Sequence, residues 1–376
     1  MALWYRTVDF QLYRPILVPP APTIQLDPAA LSWRNGLLVR ATNWLGDALM
    51  TLPAVYRLSQ RVPDPCGVFV MCPAGLAPLW AAVPWVSQVI PMAGSRCGAA
   101  ERRVLRRLRP GVAVVLPNSF GSAWDVWRSG APTRLGRAGR GRGWLLTHRL
   151  PEWPRRREAA GCHQLSHYLD LAAVLGPVEA SAAAPPLRVA DAAAVARAQG
   201  VDDAAGPWLA VAPGAAYGPA KQWPVERFTA VARWWQSRGG RVVVVGAAKE
   251  RAAGAAIAAA LPEVLDLTGR TDLRQLMAVL AVSGLVVAND SGAMHLGAAL
   301  GCRGVAIFGS TDPVATGPIG GQWVVLADQP ADCAPCLQRT CPRANDPYAC
   351  LRSVQPEDVC QALVYLAALP DLAEVR

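Results

Sequence analysis

At 376 residues the chain exceeds the usual size of one domain, so two domains of roughly 150 to 180 residues are expected. With 52% hydrophobic and 17% charged residues it is composed to pack a core, which excludes a disordered or fibrous protein. The net charge of +10 favours anionic partners, yet no DNA- or RNA-binding motif accompanies it, so nucleic acid is not expected.

No apolar run reaches about 18 residues without charge or Pro, and the N-terminal stretch, with Asp9, Arg14 and several prolines, lacks the order of a secretory signal. A cytoplasmic protein is expected. Ten cysteines, partly scattered singly, suit a reducing compartment better than a disulfide scaffold.

Residues 1–33 are Pro-rich and read as an extension packed on the outside. The apolar runs 36–40, 68–71 and 112–116 read as short buried strands, with Ala- and Leu-rich helices between them. Two arginine clusters follow, one from Arg102 to Arg109 and one from Arg134 to Arg157. The Ala-rich stretch 177–206, with Pro185-Pro186, reads as a linker. Strands then restart at 208–212, 241–245, 285–287 and 304–308. The expected fold class is therefore α/β: two doubly wound Rossmann-like domains, 34–185 and 186–355, with a closing segment 356–376. In such folds ligands sit beyond the C-terminal ends of the strands.

Five segments carry chemistry. The first, 43–53, follows the first strand, where Gly46 permits close backbone approach and Asp47 is either a general base for a hydroxyl or a helix N-cap. The second, 211–224, places Lys221 among small residues, where its point charge can meet a diphosphate. The third, 245–250, offers Glu250 to a ribose hydroxyl or simply to solvent. The fourth is Ala288-Asn289-Asp290-Ser291-Gly292-Ala293-Met294-His295, a strand running through a polar turn into a helix start. Free amides and the helix dipole there suit a phosphate, with ordinary capping as the plainer reading. The fifth holds Cys333, Cys336, Cys341 and Cys350, a compact spacing that resembles a structural zinc knuckle without matching a zinc ribbon. Reduced thiols or a disulfide are the alternative. His163 and His167, four apart, read as polar-face histidines of an amphipathic helix rather than a metal pair.

The set Asn-Trp-Leu-Gly-Asp (43–47), Pro-Gly-Ala-x-Tyr-Gly-Pro-Ala-Lys-x-Trp-Pro (213–224), Asn-Asp-Ser-Gly-x-Met-His (289–295) and Cys-x-Pro-Cys-x-x-Arg-x-Cys-Pro (333–342) resembles glycosyltransferase family 9. Support comes from 116–123, and the likeness spans roughly residues 36–365. The resemblance implies a GT-B architecture with the active site in the cleft between facing domains, and a last helix, within 356–376, that crosses back to the first. It implies ADP-L-glycero-β-D-manno-heptose as donor, the inner core on lipid A as acceptor, inversion at the anomeric carbon and no required cofactor. Residue by residue, Asp47 matches the general base and Lys221 the diphosphate contact. Asp290, Ser291, Gly292 and His295 match the donor-binding turn and helix, and Glu250 is a looser match to a ribose contact.

A lipid-linked acceptor gives the arginines a purpose. Arg137, Arg140 and Arg142 are expected to face the acceptor and the anionic inner leaflet, making the enzyme peripheral on the inner face of the cytoplasmic membrane. Two readings compete: a nucleotide-sugar epimerase, which would turn over free sugar nucleotide without acceptor, and a non-catalytic membrane-associated binding protein, indifferent to loss of Asp47.

Overall fold

The computed structural model describes residues 10–94, 96–152, 161–327 and 333–370. The chain divides into two compact units, Pro15–Ala190 and Asp191–Arg376, the latter joined by Met1–Arg14. The boundary thus falls at 190/191, a little beyond the expected 185/186.

In the first unit six strands form one sheet: β1 (Gly36–Arg40), β2 (Gly67–Pro73), β3 (Gln88–Met92), β4 (Val112–Val115), β5 (Thr133–Arg137) and β6 (His148–Leu150). All pair in parallel in the order β3-β2-β1-β4-β5-β6. Helices on both faces bury a parallel sheet, which is why β4 is a continuous apolar run and β1 is one up to its last residue, Arg40, with every residue covered. Strands β3, β5 and β6 escape the apolar-run reading for local reasons. Pro91 sits in β3, tolerable because that strand is an edge, and Arg134, Arg137, His148 and Arg149 interrupt the other two.

The second unit repeats the plan with β7 (Trp208–Ala212), β8 (Arg241–Val244), β9 (Leu265–Asp266), β10 (Leu285–Asn289), β11 (Arg303–Ile307) and β12 (Gln322–Leu326). Their order, β12-β11-β10-β7-β8-β9, is the same topology counted from β7, again wholly parallel. Each sheet therefore reverses its winding once, between β1 and β4 and between β7 and β10. Loops leaving those strands part to opposite faces there and open a crevice.

The N-terminal extension serves both units in turn. Tyr13 N donates to Trp323 O at 2.7 Å and its hydroxyl to Pro313 O at 2.7 Å, while Ile16 O accepts from His163 N and Leu26 N donates to Val174 O. The closing helix Pro356–Ala367 packs Val359, Leu363 and Leu366 among Phe228, Val231 and Val324 of the second unit. Residues 371–376 lie outside the described residues. Among the described residues no helix is long and apolar enough to cross a membrane.

Candidate active site

In the first unit the chemistry gathers at the C-terminal ends of β1 and β4. Helix Leu45–Met50 begins after Trp44, which occupies the N-cap position in extended conformation without a side-chain cap bond. Asp47 thus stands in the first turn, half-buried, and is not the N-cap. Its charge reaches the buried Tyr168, whose hydroxyl is held well above the usual phenol range by burial first and the Asp47 carboxylate second.

The loops beside Asp47 are tied down by two buried arginines. Arg40, 1% exposed, donates to Ala41 O at 2.5 Å and Asn43 Oδ1 at 3.0 Å, and its Nε stands 3.7 Å from Asp125 Oδ2. Burial lowers the Arg40 pKa while Asp125 opposes that shift, and burial raises Asp125. Arg142, also 1% exposed, donates to Pro117 O at 2.5 Å and to Asn118 Oδ1 at 2.6 Å, fixing the loop after β4. Burial, with the nearby Arg140 charge, pushes the Arg142 pKa down to about 10.

This corrects the expected basic face. Arg137 and Arg142 are interior groups: Arg137 is 5% exposed, its guanidinium 2.8 Å from Asp170 and donating to His167 O at 3.0 Å. A buried guanidinium is retained only where carboxylate and carbonyl partners replace water. Of the three, Arg140 alone is exposed. The exposed cations lie instead on helix Ala99–Leu108, where Arg103, Arg106 and Arg107 face solvent around a buried Leu105. Arg155, Arg156 and Arg157 lie outside the described residues. His163 is likewise buried, its Nδ1 accepting from Leu165 N at 3.0 Å, so it caps the helix rather than lining a polar face.

In the second unit the corresponding groups converge beyond β7, β8 and β10. Lys221 and Asp290 pair at 2.5 Å, and Thr311 Oγ1 donates to the same carboxylate oxygen at 2.6 Å. Lys221 also stands 5.0 Å from the centre of the Tyr217 ring. Asn289, fully buried, binds the two strand ends together: its amide donates to Pro213 O at 2.7 Å and its carbonyl accepts from Trp223 N at 3.0 Å. Asp290 and Lys221 are therefore set by their neighbours before any ligand arrives.

Ser291 occupies the N-cap of helix Gly292–Ala299, but its hydroxyl makes no cap bond and is buried without a hydrogen-bond partner. Donor groups of this kind at a helix N-terminus, beside a lysine, form a site for a phosphate. Gly292 opens the helix, half-buried, and His295 is buried one turn on. Glu250 is half-buried at the end of β8, accepting from Ala247 N at 2.7 Å. The sequence reading gave no role to Asn289, Thr311 or Tyr217. Asn289 lies inside the run singled out for Asp290 and Tyr217 inside the motif singled out for Lys221, whereas Thr311 has no local signature.

Two doubly wound parallel units, with an acid at one switch point and a lysine and helix N-terminus at the other, define the GT-B class of glycosyltransferases. The family model of glycosyltransferase family 9 (heptosyltransferase) matches residues 101–346. Lipopolysaccharide heptosyltransferase 2 of Salmonella typhimurium is 33% identical over 306 residues, covering 75% of this chain and 85% of that protein. The solved structure of E. coli ADP-heptose LPS heptosyltransferase II aligns at a TM-score of 0.74 and 30% identity, covering 90% of this chain and 99% of that one. A family 9 glycosyltransferase from Veillonella parvula shares the fold at a TM-score of 0.75 and 21% identity, over 91% and 98% of the two chains. The chain belongs to glycosyltransferase family 9.

Proposed function

We propose that this enzyme transfers a heptose from ADP-L-glycero-β-D-manno-heptose to the lipid A–inner core acceptor of lipopolysaccharide, with inversion. The observation that carries this reading is the convergence of Lys221 and the unused Ser291 hydroxyl at the start of a helix, beyond β7 and β10. The names of the relatives supply ADP-heptose and lipopolysaccharide, and the family resemblance supplies the configuration of the heptose and the inner-core acceptor.

Lys221 and the Ser291 and Gly292 amides bind the diphosphate and stabilise negative charge as ADP departs. Asp290 holds the Lys221 ammonium in place and His295 contributes to the donor turn from the helix behind it. Glu250 accepts a ribose hydroxyl. Asp47 takes the proton from the acceptor hydroxyl as its oxygen attacks the anomeric carbon. One carboxylate base suffices for a single displacement, and the stereochemistry inverts. Attraction to the anionic inner leaflet comes from Arg103, Arg106, Arg107 and Arg140, not from the buried arginines.

The test incubates the purified chain with ADP-heptose and a truncated inner-core acceptor, following ADP release and the anomeric configuration of the product. Acceptor-dependent ADP release with inversion is expected. ADP-heptose turnover without acceptor, or a retained anomer, overturns the reading.

A further inference from the structure

Cys333, Cys336, Cys341 and Cys350 line one cavity as free thiols. Among the described residues no group of three or more His, Cys, Asp or Glu side chains is placed to hold a metal ion, so the zinc-knuckle reading is not met. The surface left without a task lies on the first unit. Helix Phe120–Trp127 buries Ser122, Ala123, Asp125 and Val126, and carries Phe120, Trp124 and Trp127 at steps of four and three residues. That spacing sets the three rings in one stripe. Trp144, from the turn Gly143–Leu145, joins the stripe with its ring centre 6.3 Å from each of the three, and Trp124 and Trp127 stack at 4.9 Å. Trp144 is 61% exposed, Trp127 41% and Phe120 39%. Large rings gathered on the outside of a unit mark a contact surface.

Polar groups beneath hold this patch in shape. The Ser119 hydroxyl accepts from Ser122 N at 3.2 Å and so caps the helix, while Asp125 accepts from Cys97 N at 3.2 Å and stands 3.7 Å from the Arg40 guanidinium. Arg142, two residues before Trp144, donates to Pro117 O and Ser119 O, which fastens the turn to the start of the helix. The charge around the patch is one-sided. Between Leu116 and Arg149 the chain has six arginines and a single carboxylate, Asp125, which is buried. Exposed arginines adjoin the rings: Arg128 Cζ is 6.0 Å from the Trp124 ring centre, Arg149 Nη1 donates to Gly143 O at 3.4 Å beside Trp144, and the Arg96 side chain passes the Gly121 α-carbon next to Phe120. The matching partner is anionic at its surface and apolar just beneath, which is the layering of an anionic bilayer. Stacking on a sugar needs a flat face, whereas Trp144 meets Trp124 at 73° and Trp127 at 64°, so the rings form a wedge.

We propose that Phe120, Trp127 and Trp144, backed by Trp124, insert into the interface of an anionic bilayer while Arg96, Arg128 and Arg149 pair with lipid phosphates. Insertion is shallow, because an indole leaves water with its apolar body and keeps its N–H among polar groups. The occupant is the anionic leaflet of the proposed function, on which the assignment rests, but the surface and its driving force are different. Apolar burial is not screened by salt, as the attraction of Arg103, Arg106 and Arg107 is.

The experiment mixes the full-length chain with vesicles of phosphatidylglycerol and phosphatidylethanolamine whose acyl chains carry bromine near the carbonyl end, with neither donor nor acceptor present. Quenching of tryptophan fluorescence on binding is expected, with part of the binding persisting at high salt. In Trp127→Ala/Trp144→Ala the high-salt binding is expected to fall at least about tenfold and the quenching to disappear. Should that variant misfold, Trp144→Ser alone is expected to lose high-salt binding that Trp144→Phe retains. Replacing Arg96, Arg128 and Arg149 with Ser is expected to weaken binding at low salt only. An unquenched parent, or folded ring variants that bind at high salt as the parent does, overturns the surface. A parent that sediments as a dimer and a ring variant that sediments as a monomer also overturns it, since a second copy then covers the rings. With a delipidated acceptor oligosaccharide the ring variants are expected to keep the parent's KM, and a raised KM would give the rings to the sugar instead of the bilayer. The vesicles hold no substrate, so quenching succeeds or fails independently of the proposed transfer reaction.

Discussion

The Glu250 carboxylate lies against the α-carbon of Gly214, so closely that a methyl group there would stand 2.0 Å from its carboxyl carbon. The loop after β7 and the turn after β8 are therefore matched in shape, and the glycine is required by contact rather than by backbone angle. Gly214→Ala is expected to expel the Glu250 carboxylate and raise the KM for ADP-heptose, at a stability cost of about 1–3 kcal/mol for overpacking. Adding Glu250→Ala relieves the clash, so thermal unfolding recovers while the donor KM stays high. A single variant with normal donor KM removes Glu250 from the nucleotide site.

Asp47 stands in the first turn of its helix without capping it, and the proposed reaction gives it the acceptor proton. Asp47→Ala is expected to lower kcat by at least about a hundredfold while ADP affinity, measured by calorimetry, stays unchanged. Turnover within a few-fold of the parent would assign the proton transfer to another group.

The Lys221–Asp290 pair separates binding from stability. Lys221→Ala is expected to weaken ADP binding by roughly 1.5–3 kcal/mol, a charge-assisted contact, with a matching fall in kcat/KM. Asp290→Ala leaves the largely buried ammonium without its carboxylate, and a stability loss of about 3–5 kcal/mol in denaturant unfolding is expected. Calorimetry showing equal ADP affinity for the Lys221 variant would detach this lysine from the diphosphate.

Arginines of the first unit divide into two kinds with opposite signatures. Replacing Arg103, Arg106 and Arg107 with Ser is expected to lower flotation on anionic vesicles by about 1 kcal/mol for each charge, an effect that fades as salt shortens the Debye length to roughly 8 Å. Arg142→Ser is expected to leave flotation unchanged and to lower the unfolding midpoint, because Pro117 O and Asn118 lose their donor. Equal vesicle binding by parent and triple variant at low salt would make that helix an ordinary solvated surface.

By itself the sequence determined whatever rests on local pattern. Apolar runs such as Val112–Val115 and Trp208–Ala212 are strands because a parallel sheet buries both faces, and the turn 289–292 is legible because strand, polar turn and helix start are contiguous. Tertiary structure decided what depends on distant partners. Strand order, and with it the switch points that bring Lys221 to Asp290 across 69 residues, is a property of pairing between segments that no local window contains. The same holds for charge: Arg137 and Arg142 read as part of a basic face toward the acceptor and the anionic leaflet, and only the arrival of Asp170 and the Pro117 and Asn118 oxygens makes their burial affordable. A side chain's exposure is set by what packs against it, and those partners lie elsewhere in the chain.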